Sequence, residues 1–405
     1  MAEIMKDICF IQYDLQGGGA ERKICTLSNY FVSKGYNVEI GLYGVNLVAY
    51  ELDPRIKVTL INRDSFVYSN NFEKCLYKSK VFIQNNFVIK PLSLVSKKIS
   101  GKLKNHFDKE NNYIFPIRNF VNKRKNIVFV TMMAAMYCAI MDTMKNDKDR
   151  ISLGKHYLVM DCNNPKFNAK GHLNELRNKY YPMAYRDVLQ TQGAKDWFID
   201  EIKNNSVIIP NPIKNDLPEP YFGKRNRTIV TYCRLNEQKN LPLLINAFAK
   251  LSKEYPDYIL EIYGKGALKD DLLQQIKALG ISDKAFIFDF DPNIHEKIKD
   301  SAMYVLSSDY EGQPNGLMEA MAIGLPCIST DCDFGPGDMI NDHENGILVP
   351  CGDVDALYNA MKEYIDNPAL AEKCGREAVK VREEYSIEKI GNKWLEIIEE
   401  CAKEI

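Results

Sequence analysis

The chain of 405 residues is long enough for two or three domains, and its composition, 45% hydrophobic and 26% charged, is typical of folded soluble proteins. These values exclude collagen-like, low-complexity and mostly disordered chains. The net charge of −1 is unevenly spread, because residues 1–215 hold 32 Lys and Arg against 20 Asp and Glu, whereas residues 216–405 hold 21 against 34. This asymmetry indicates two domains with different partners.

The positive charge of the first half is concentrated in Lys74–Lys125, which has 13 basic and two acidic residues. Within it, Leu92, Val95, Ile99 and Leu103 fall on one helical face among lysines, a pattern typical of an amphipathic helix at a membrane surface. An ordinary helix packed on its own domain is the alternative. Because the basic excess is so local, we favour peripheral contact with a membrane or a lipid pyrophosphate.

Targeting and spanning segments are not expected. The polar stretch Met1–Asp7 predicts no signal peptide. The longest charge-free apolar stretch, Ile127–Met141, has 15 residues, and a membrane-spanning helix needs ~20. Eleven scattered cysteines without a CxxC pair predict reduced thiols in a cytoplasmic protein.

The first half alternates short apolar runs with segments of helical period, the pattern of a parallel sheet covered by helices. Its predicted strands are Ile8–Tyr13, Val38–Tyr43, Ile127–Thr131 and Lys155–Met160. A glycine-rich turn at 16–22 leads into the first helix. Four prolines between Pro210 and Pro220 predict a linker over residues 206–227.

The second half repeats the alternation. Its predicted strands are Thr228–Cys233, Tyr258–Tyr263, Ala285–Phe290, Met303–Ser308, Pro326–Ser329 and Gly346–Val349. Helices are predicted at Leu241–Leu251, up to Leu279, at Leu317–Ile323 and beyond Val354. The sequence therefore predicts two doubly wound α/β domains facing across a cleft, with ligands beyond the carboxyl ends of the strands.

Two groups of residues at predicted strand ends suit an anion. Gly17, Gly18 and Gly19 precede a helix, whose first amides attract negative charge, although a turn without any ligand explains them equally well. Arg234 and Lys239 follow the first strand of the second half, where two cations suit a diphosphate. A solvated basic pair is the alternative reading.

The loop that follows the predicted strand Met303–Ser308 is the strongest motif. It holds Glu311 and, eight residues later inside a helix, Glu319. The amides between them suit phosphate or sugar hydroxyls, and the two carboxylates suit hydroxyl groups, although helix capping also explains a Glu at a helix start. A second glycine-rich turn, Gly335–Asp338, follows at the same predicted sheet edge.

Together these motifs resemble the retaining glycosyltransferases of family 4, which have the GT-B fold. The resemblance rests on Cys233–Leu235 with Gln238–Asn240, on the Glu311-x7-Glu319 signature and on Gly335–Pro336. The segments Gly18–Arg22 and Pro210–Pro212 are similar to a subset acting on bacterial surface and lipid-linked glycans.

The resemblance implies a role for each matched position. Arg234 and Lys239 would hold the donor diphosphate, Glu311 would contact the donor sugar, and Glu319 would bind the ribose. The remaining donor-binding positions, which line the cleft or offer amides to sugar or phosphate, would be Gly18, Gly19, Gly312, Asn315, Gly316 and Leu317. No metal and no cofactor besides the nucleotide sugar are implied.

The resemblance also implies the domain bounds: an acceptor domain over 1–212, a donor domain over 213–386 and a last helix over 387–405 crossing back. The acceptor side departs from the family. Thr131–Ala134 lacks a His that many relatives carry, and Asp161 and Cys162 replace a Glu and a cation. No general base is therefore assigned.

The resemblance thus implies a retaining, metal-independent hexosyltransferase, which we expect to be cytoplasmic. It would move a sugar from a UDP-sugar to a saccharide acceptor, lipid-linked at the inner membrane face, in bacterial polysaccharide or lipopolysaccharide synthesis. An epimerase of the same fold and a non-catalytic nucleotide-sugar-binding protein are the alternatives. Nucleic acid is not expected as a partner, because the whole chain is not basic and carries no recognised motif.

Overall fold

The computed structural model describes residues 7–16, 18–44, 48–61, 114–124, 126–132, 134–161, 165–166 and 172–405. These residues form two α/β units, each built on a parallel sheet with apolar clusters on both faces. Burial on both faces explains why most strands are continuous apolar runs rather than alternating ones.

The first sheet has seven described strands in the order β3-β2-β1-β4-β5-β6-β7, all parallel. Their bounds are β1 Asp7–Gln12, β2 Asn37–Leu42, β3 Lys57–Leu60, β4 Val128–Thr131, β5 Tyr157–Asp161, β6 Arg186–Leu189 and β7 Ser206–Ile208. The described helices of this unit are α1 Gly19–Ser33, α2 Ile114–Asn122, α3 Ala134–Asp142, α4 Asp147–Gly154, α5 His172–Tyr180, α6 Gln192–Trp197 and α7 Asp200–Asn205.

The second sheet has six strands in the order β10-β9-β8-β11-β12-β13, again all parallel. They are β8 Thr228–Tyr232, β9 Ile259–Tyr263, β10 Ala285–Phe288, β11 Met303–Leu306, β12 Cys327–Thr330 and β13 Ile347–Val349. The helices that follow them are α8 Leu241–Glu254, α9 Lys269–Ala278, α10 Ile294–Ile298, α11 Asn315–Ala322, α12 Pro336–Met339, α13 Val354–Asp366, α14 Pro368–Ala378 and α15 Val381–Glu384.

Each sheet reverses its strand order once, between β1 and β4 in the first sheet and between β8 and β11 in the second. Ligands of doubly wound sheets bind beyond the carboxyl ends of the strands at such a reversal. Gly18 and Gly19, at the start of α1, follow β1, and the Glu311 loop follows β11. The topology therefore brings the main sequence motifs to the reversal points.

The predicted linker over 206–227 is wrong at its start, because β7 occupies Ser206–Ile208. Its amides and carbonyls pair with β6, so this stretch belongs to the first sheet. The prolines begin only at Pro210, where the missing N–H and fixed φ prevent the strand from continuing.

The last helix, α16 Ile387–Lys403, packs in the apolar core of the first unit. Its Trp394 is fully buried, and Asn392 Oδ1 accepts a hydrogen bond from Tyr30 Oη of α1 at 2.7 Å. A Cβ at Gly391 would lie 2.4 Å from the Tyr30 ring, so this crossing requires a glycine. The helix thus ties the end of the chain to the first sheet.

Candidate active site

The loop after β8 carries the two predicted cations and is held by a left-handed residue. Asn240 has φ 39° and caps α8, where its Oδ1 accepts from the Leu243 amide at 3.4 Å. Its Nδ2 donates to Asp309 Oδ1 in the loop after β11 at 2.7 Å. Asn tolerates this conformation better than most residues. One asparagine thus fixes the separation of the two loops at the reversal point.

Lys239 and Glu311 meet between these loops. Lys239 Nζ lies 2.5 Å from Glu311 Oε1, and the two side chains are 13% and 6% exposed. Ser308 Oγ donates to the same oxygen at 2.6 Å, and Gln238 Nε2 donates to Oε2 at 3.3 Å. Arg234 is exposed, with Nη2 3.4 Å from Gln238 Oε1. The structure therefore brings Arg234, Lys239 and Glu311 together, with Gln238 in contact with both Arg234 and Glu311.

The loop from Glu311 turns into α11 at Pro314, which is the N-cap residue of that helix. Gly335, with φ +95°, packs so closely behind the loop that a Cβ there would lie 2.3 Å from Gly312 O. Asn315 and Gly316 are half-buried at the first turn of α11, and Leu317 is fully buried. The first amides of α11 therefore lie beside Glu311, where the partial positive charge of a helix start attracts anions.

Glu319, one helical turn further along α11, is buried and has a partner on each oxygen. Arg22 Nη2 of the first unit lies 2.5 Å from Oε1, and His295 Nε2 of α10 lies 3.0 Å from Oε2. His295 packs edge-on against the Tyr232 ring. Burial raises the pKa of Glu319, but the His295 hydrogen bond and the Arg22 charge outweigh it and hold the pKa below its ordinary value. Glu319 is therefore anionic at neutral pH.

Gly18 and Gly19 face this site from the first unit. Gly18 is the N-cap of α1, and Tyr50 Oη lies 3.0 Å from both its amide nitrogen and its carbonyl oxygen. A Cβ at Gly19 would lie 2.9 Å from Asn315 Nδ2, so the close approach of α1 to α11 favours glycine. Two helix starts, one from each unit, thus border the same gap.

Asn211 of the linker joins the two units in a buried polar network. Its Oδ1 accepts from Lys23 Nζ at 2.6 Å and from Gln190 Nε2 at 2.5 Å, both in the first unit. Its backbone amide donates to Gln313 Oε1 at 2.5 Å, and its Nδ2 donates to Asn315 Oδ1 at 3.0 Å. The linker is therefore bonded directly to the Glu311 loop.

A second contact between the units lies at the rim. Lys166 Nζ of the first unit lies 2.5 Å from Asp333 Oδ2 and 5.5 Å from the centre of the Phe334 ring. A Cβ at Gly193 would lie 2.8 Å from that same ring. The segment after β12 therefore contacts the first unit and also borders the Glu311 loop, where Tyr310 bridges Asp333.

Several residues of the site went unassigned in the sequence reasoning. Arg22 lies in a motif that the resemblance used, but nothing gave its side chain a role. His295 belongs to none of the motifs, and it is buried in contact with Glu319. Asn211 lies in the matched Pro-Asn-Pro segment without an assigned role. Of these three residues, only Arg22 and Asn211 lie in a matched segment, so only for them could the sequence have indicated a place in the site.

Asp161, which the resemblance implied would lie on the acceptor side, is buried in an ion pair with Arg177. Cys162 lies outside the described residues, as does Gly17. The predicted membrane-contact segment Lys74–Lys125 also lies outside them, except for residues 114–124.

None of the helices in the described part of the chain has the length and apolarity needed to cross a membrane. Within the same ranges, no three His, Cys, Asp or Glu side chains are grouped so as to hold a metal ion.

Comparisons with known proteins bear on this geometry. Residues 213–381 match the model of the family described as Glycosyl transferases group 1. An uncharacterized glycosyltransferase of Haemophilus influenzae is 26% identical over 400 residues, covering 97% of this chain and 100% of that protein. The Campylobacter jejuni N-acetylgalactosamine-N,N'-diacetylbacillosaminyl-diphospho-undecaprenol 4-alpha-N-acetylgalactosaminyltransferase is 27% identical over 257 residues, which cover 60% of this chain and 67% of that enzyme.

Among solved structures, a mutant of Staphylococcus aureus TarM in complex with fondaparinux, alpha-GlcNAc-glycerol and UDP superposes with a TM-score of 0.72. It shares 16% sequence identity, and the match covers 97% of this chain and 100% of that chain. The chain has the GT-B fold. The matched family model and the two relatives support a GT-B glycosyltransferase, and the predicted fold class, two α/β domains of GT-B type, is confirmed.

Proposed function

We propose that this GT-B glycosyltransferase moves a sugar, with retention of anomeric configuration and without a metal ion, from a UDP-sugar to a saccharide acceptor. The observation that carries the proposal is the presence of two ion pairs formed by glutamates just before α11 and within it. Glu311 and Glu319 each hold a cation, Lys239 and Arg22, beside the first amides of one helix. This arrangement suits a ligand that combines hydroxyl groups with a diphosphate.

In this proposal the donor replaces contacts that the side chains of the site make with one another. Arg234 and Lys239 bind the diphosphate oxygens, and Glu311 accepts hydrogen bonds from hydroxyls of the sugar. Glu319 accepts from the ribose hydroxyls. Amide donors at the loop and at both helix starts complete the site, at Gly18, Gly19, Gly312, Asn315, Gly316 and Leu317. Fixed donors of this kind stabilise charge as it develops on the leaving group.

The chemical step is a substitution on one face of the sugar. The acceptor hydroxyl oxygen attacks the anomeric carbon from the side that the diphosphate leaves. The bond from that carbon to the phosphate oxygen breaks, and the acceptor proton passes to the departing phosphate oxygen. The products are the nucleoside diphosphate and the glycosylated acceptor. Closure of the two domains excludes water, which would otherwise take the place of the acceptor.

The donor and acceptor classes are supported by the relatives. TarM was crystallised with UDP, and the name of the Campylobacter enzyme specifies a diphospho-undecaprenol acceptor. We therefore propose a UDP-sugar donor and a lipid-linked saccharide acceptor in bacterial surface glycan synthesis, on the cytoplasmic face of the membrane. The basic segment Lys74–Lys125 supports peripheral membrane contact through its charge. Sedimentation with anionic vesicles, and its loss when Lys97, Lys98 and Lys102 are changed to Gln, tests that contact.

The central test is transfer activity in matched variants. Nucleotide sugars that raise the thermal stability of the protein identify the donor, and product is then measured with lipid-linked acceptors. Glu311→Gln and Lys239→Met should abolish transfer. Lys250→Met is the control, because Lys250 forms an exposed ion pair with Asp355 between α8 and α13. Near-normal turnover in both site variants would contradict the proposal.

The same assay separates the alternatives. An epimerase would convert a UDP-sugar without any acceptor, and a binding protein would be stabilised by the donor yet give no product with any acceptor. The anomeric configuration of the product, read by NMR, tests retention. Full activity in the presence of a chelator is expected if no metal takes part.

A further inference from the structure

The contact between Arg22 and Glu319 joins the two domains inside the candidate site. Arg22 lies in the first turn of α1, and its amide donates to Gly18 O at 3.0 Å. Its guanidinium crosses the gap, so that Nη2 lies 2.5 Å from Glu319 Oε1. The Arg22 side chain is 27% exposed and that of Glu319 is 5% exposed. The pair is therefore largely shielded from water, where a lost partner is costly.

Glu311 of the loop and Glu319 of α11 are held in the same way. Lys239 of the second domain pairs with Glu311, and Arg22 of the first domain pairs with Glu319. When sugar and ribose hydroxyls occupy these carboxylates, each cation needs another anion nearby. Hydroxyl groups supply none, whereas a diphosphate does. A guanidinium has five N–H donors, so Arg22 can turn most of them to phosphate oxygens.

Glu319 has a second partner that can remain when Arg22 moves to the phosphates. His295 keeps its contact with Oε2 from α10, on the side of the carboxylate away from Arg22, and the Tyr232 ring fixes the imidazole. The carboxylate therefore retains one partner when Arg22 releases Oε1. The start of α1 beside Arg22 is exposed at Gly18 and Gly19, which carry no side chains.

We propose that Arg22 is a donor-binding residue that exchanges Glu319 for the donor phosphates when the nucleotide arrives. It would be the cation that the first domain contributes to the leaving group, and it would couple donor binding to the approach of the two domains. This inference rests on the proposed function, because it requires that a nucleoside diphosphate occupies the site.

Calorimetric titration of the full-length protein with UDP and with uridine tests the exchange, with GDP and guanosine run in parallel. We expect Arg22→Gln to weaken binding of the diphosphate about 10- to 100-fold, the loss typical of one charge-assisted hydrogen bond. Binding of the nucleoside should be unchanged or tighter, because Glu319 no longer has to release Arg22. Equal affinity of variant and wild type for the diphosphate, or equal weakening of diphosphate and nucleoside, would overturn the proposal.

Two further variants serve as controls for this test. Arg22→Lys keeps the charge and should retain part of the affinity for the diphosphate, which keeps the proposal testable if the Gln variant folds poorly. A Lys variant that binds no more tightly than Arg22→Gln contradicts it. Arg227→Gln is the control, because Arg227 pairs with Asp257 at the opposite end of β8. If the wild type binds neither UDP nor GDP, the proposed function is wrong. If the wild type binds one of them but the Arg22 variants bind it equally well, only the Arg22 inference is wrong.

Discussion

The Lys239–Glu311 pair allows stability and catalysis to be separated in one set of variants: Lys239→Met, Glu311→Gln and the double variant. Three groups hold the Glu311 carboxylate, namely Lys239 Nζ at 2.5 Å, Ser308 Oγ at 2.6 Å and Gln238 Nε2 at 3.3 Å. Removing the lysine leaves two neutral donors on a buried charge. Removing the carboxylate charge leaves a largely buried ammonium with one amide oxygen.

The expected magnitude follows from these distances. At 2.5 Å and an effective dielectric constant of ~20, the attraction is about 7 kcal/mol before desolvation. Breaking a buried pair from one side costs ~3–5 kcal/mol. Because Ser308 and Gln238 keep their hydrogen bonds to Glu311, we expect about 2–3 kcal/mol for Lys239→Met. The double variant should be more stable than the sum of the single losses by about 1–2 kcal/mol.

Urea unfolding followed by far-UV circular dichroism measures this coupling, and hydrogen exchange of residues 307–323 localises it. Both tryptophans, Trp197 and Trp394, lie outside the second sheet, so their fluorescence would not report on it. Transfer activity should be lost in all three variants, because the proposed reaction needs both groups. Additive losses within ~0.5 kcal/mol, or activity regained in the double variant, would refute the reasoning.

Three further predictions concern buried polar groups. Asn211→Ala removes the amide that joins Lys23 to Asn315, so the KM for donor should rise more than kcat falls in steady-state kinetics. Burial raises the pKa of Asp187 well above its ordinary value, so wild-type stability should fall as pH rises above ~4, whereas Asp187→Asn should melt higher at pH 8 without that slope. Burial also opposes ionisation of Glu39, but Arg124 outweighs it and sets the pKa at about 2. Glu39→Gln should therefore lower the melting temperature at pH 7, and the difference should shrink as the pH falls towards 2 and vanish below it.

The strands that sequence patterns predicted are predominantly apolar, although β2 and β9 each include a glutamate. β1, β2, β4 and β5 and the whole second sheet come from such runs. β3 was missed because it is a half-exposed edge strand, and β6 because it places Asp187 in the interior. A buried carboxylate cannot be distinguished from a surface one by composition, since its burial depends on neighbours from other elements.

Some contacts of the candidate site could likewise be predicted from the sequence, and others could not. Arg234, Lys239 and Glu311 could be predicted as neighbours, because parallel strands place the loops after β8 and β11 at one sheet edge. The contacts of Glu319 could not. Arg22 reaches it across the gap between domains, and His295 reaches it from a short helix on another strand connection. Neither distance is encoded in a local pattern, because both depend on how whole elements are packed.

The charges of the cleft argue for one composite ligand rather than for a sugar or a phosphate alone. The cations Arg22, Arg234 and Lys239 face the carboxylates of Glu311 and Glu319. A free sugar would compete for the carboxylates and leave two cations poorly paired, and free phosphate would take the cations and leave two buried carboxylates without them. Binding of a free sugar or of free phosphate is therefore opposed by the cost of separating the Lys239–Glu311 and Arg22–Glu319 ion pairs. A nucleotide sugar would supply hydroxyls and phosphates in one binding event, so under the proposed function both pairs would exchange together.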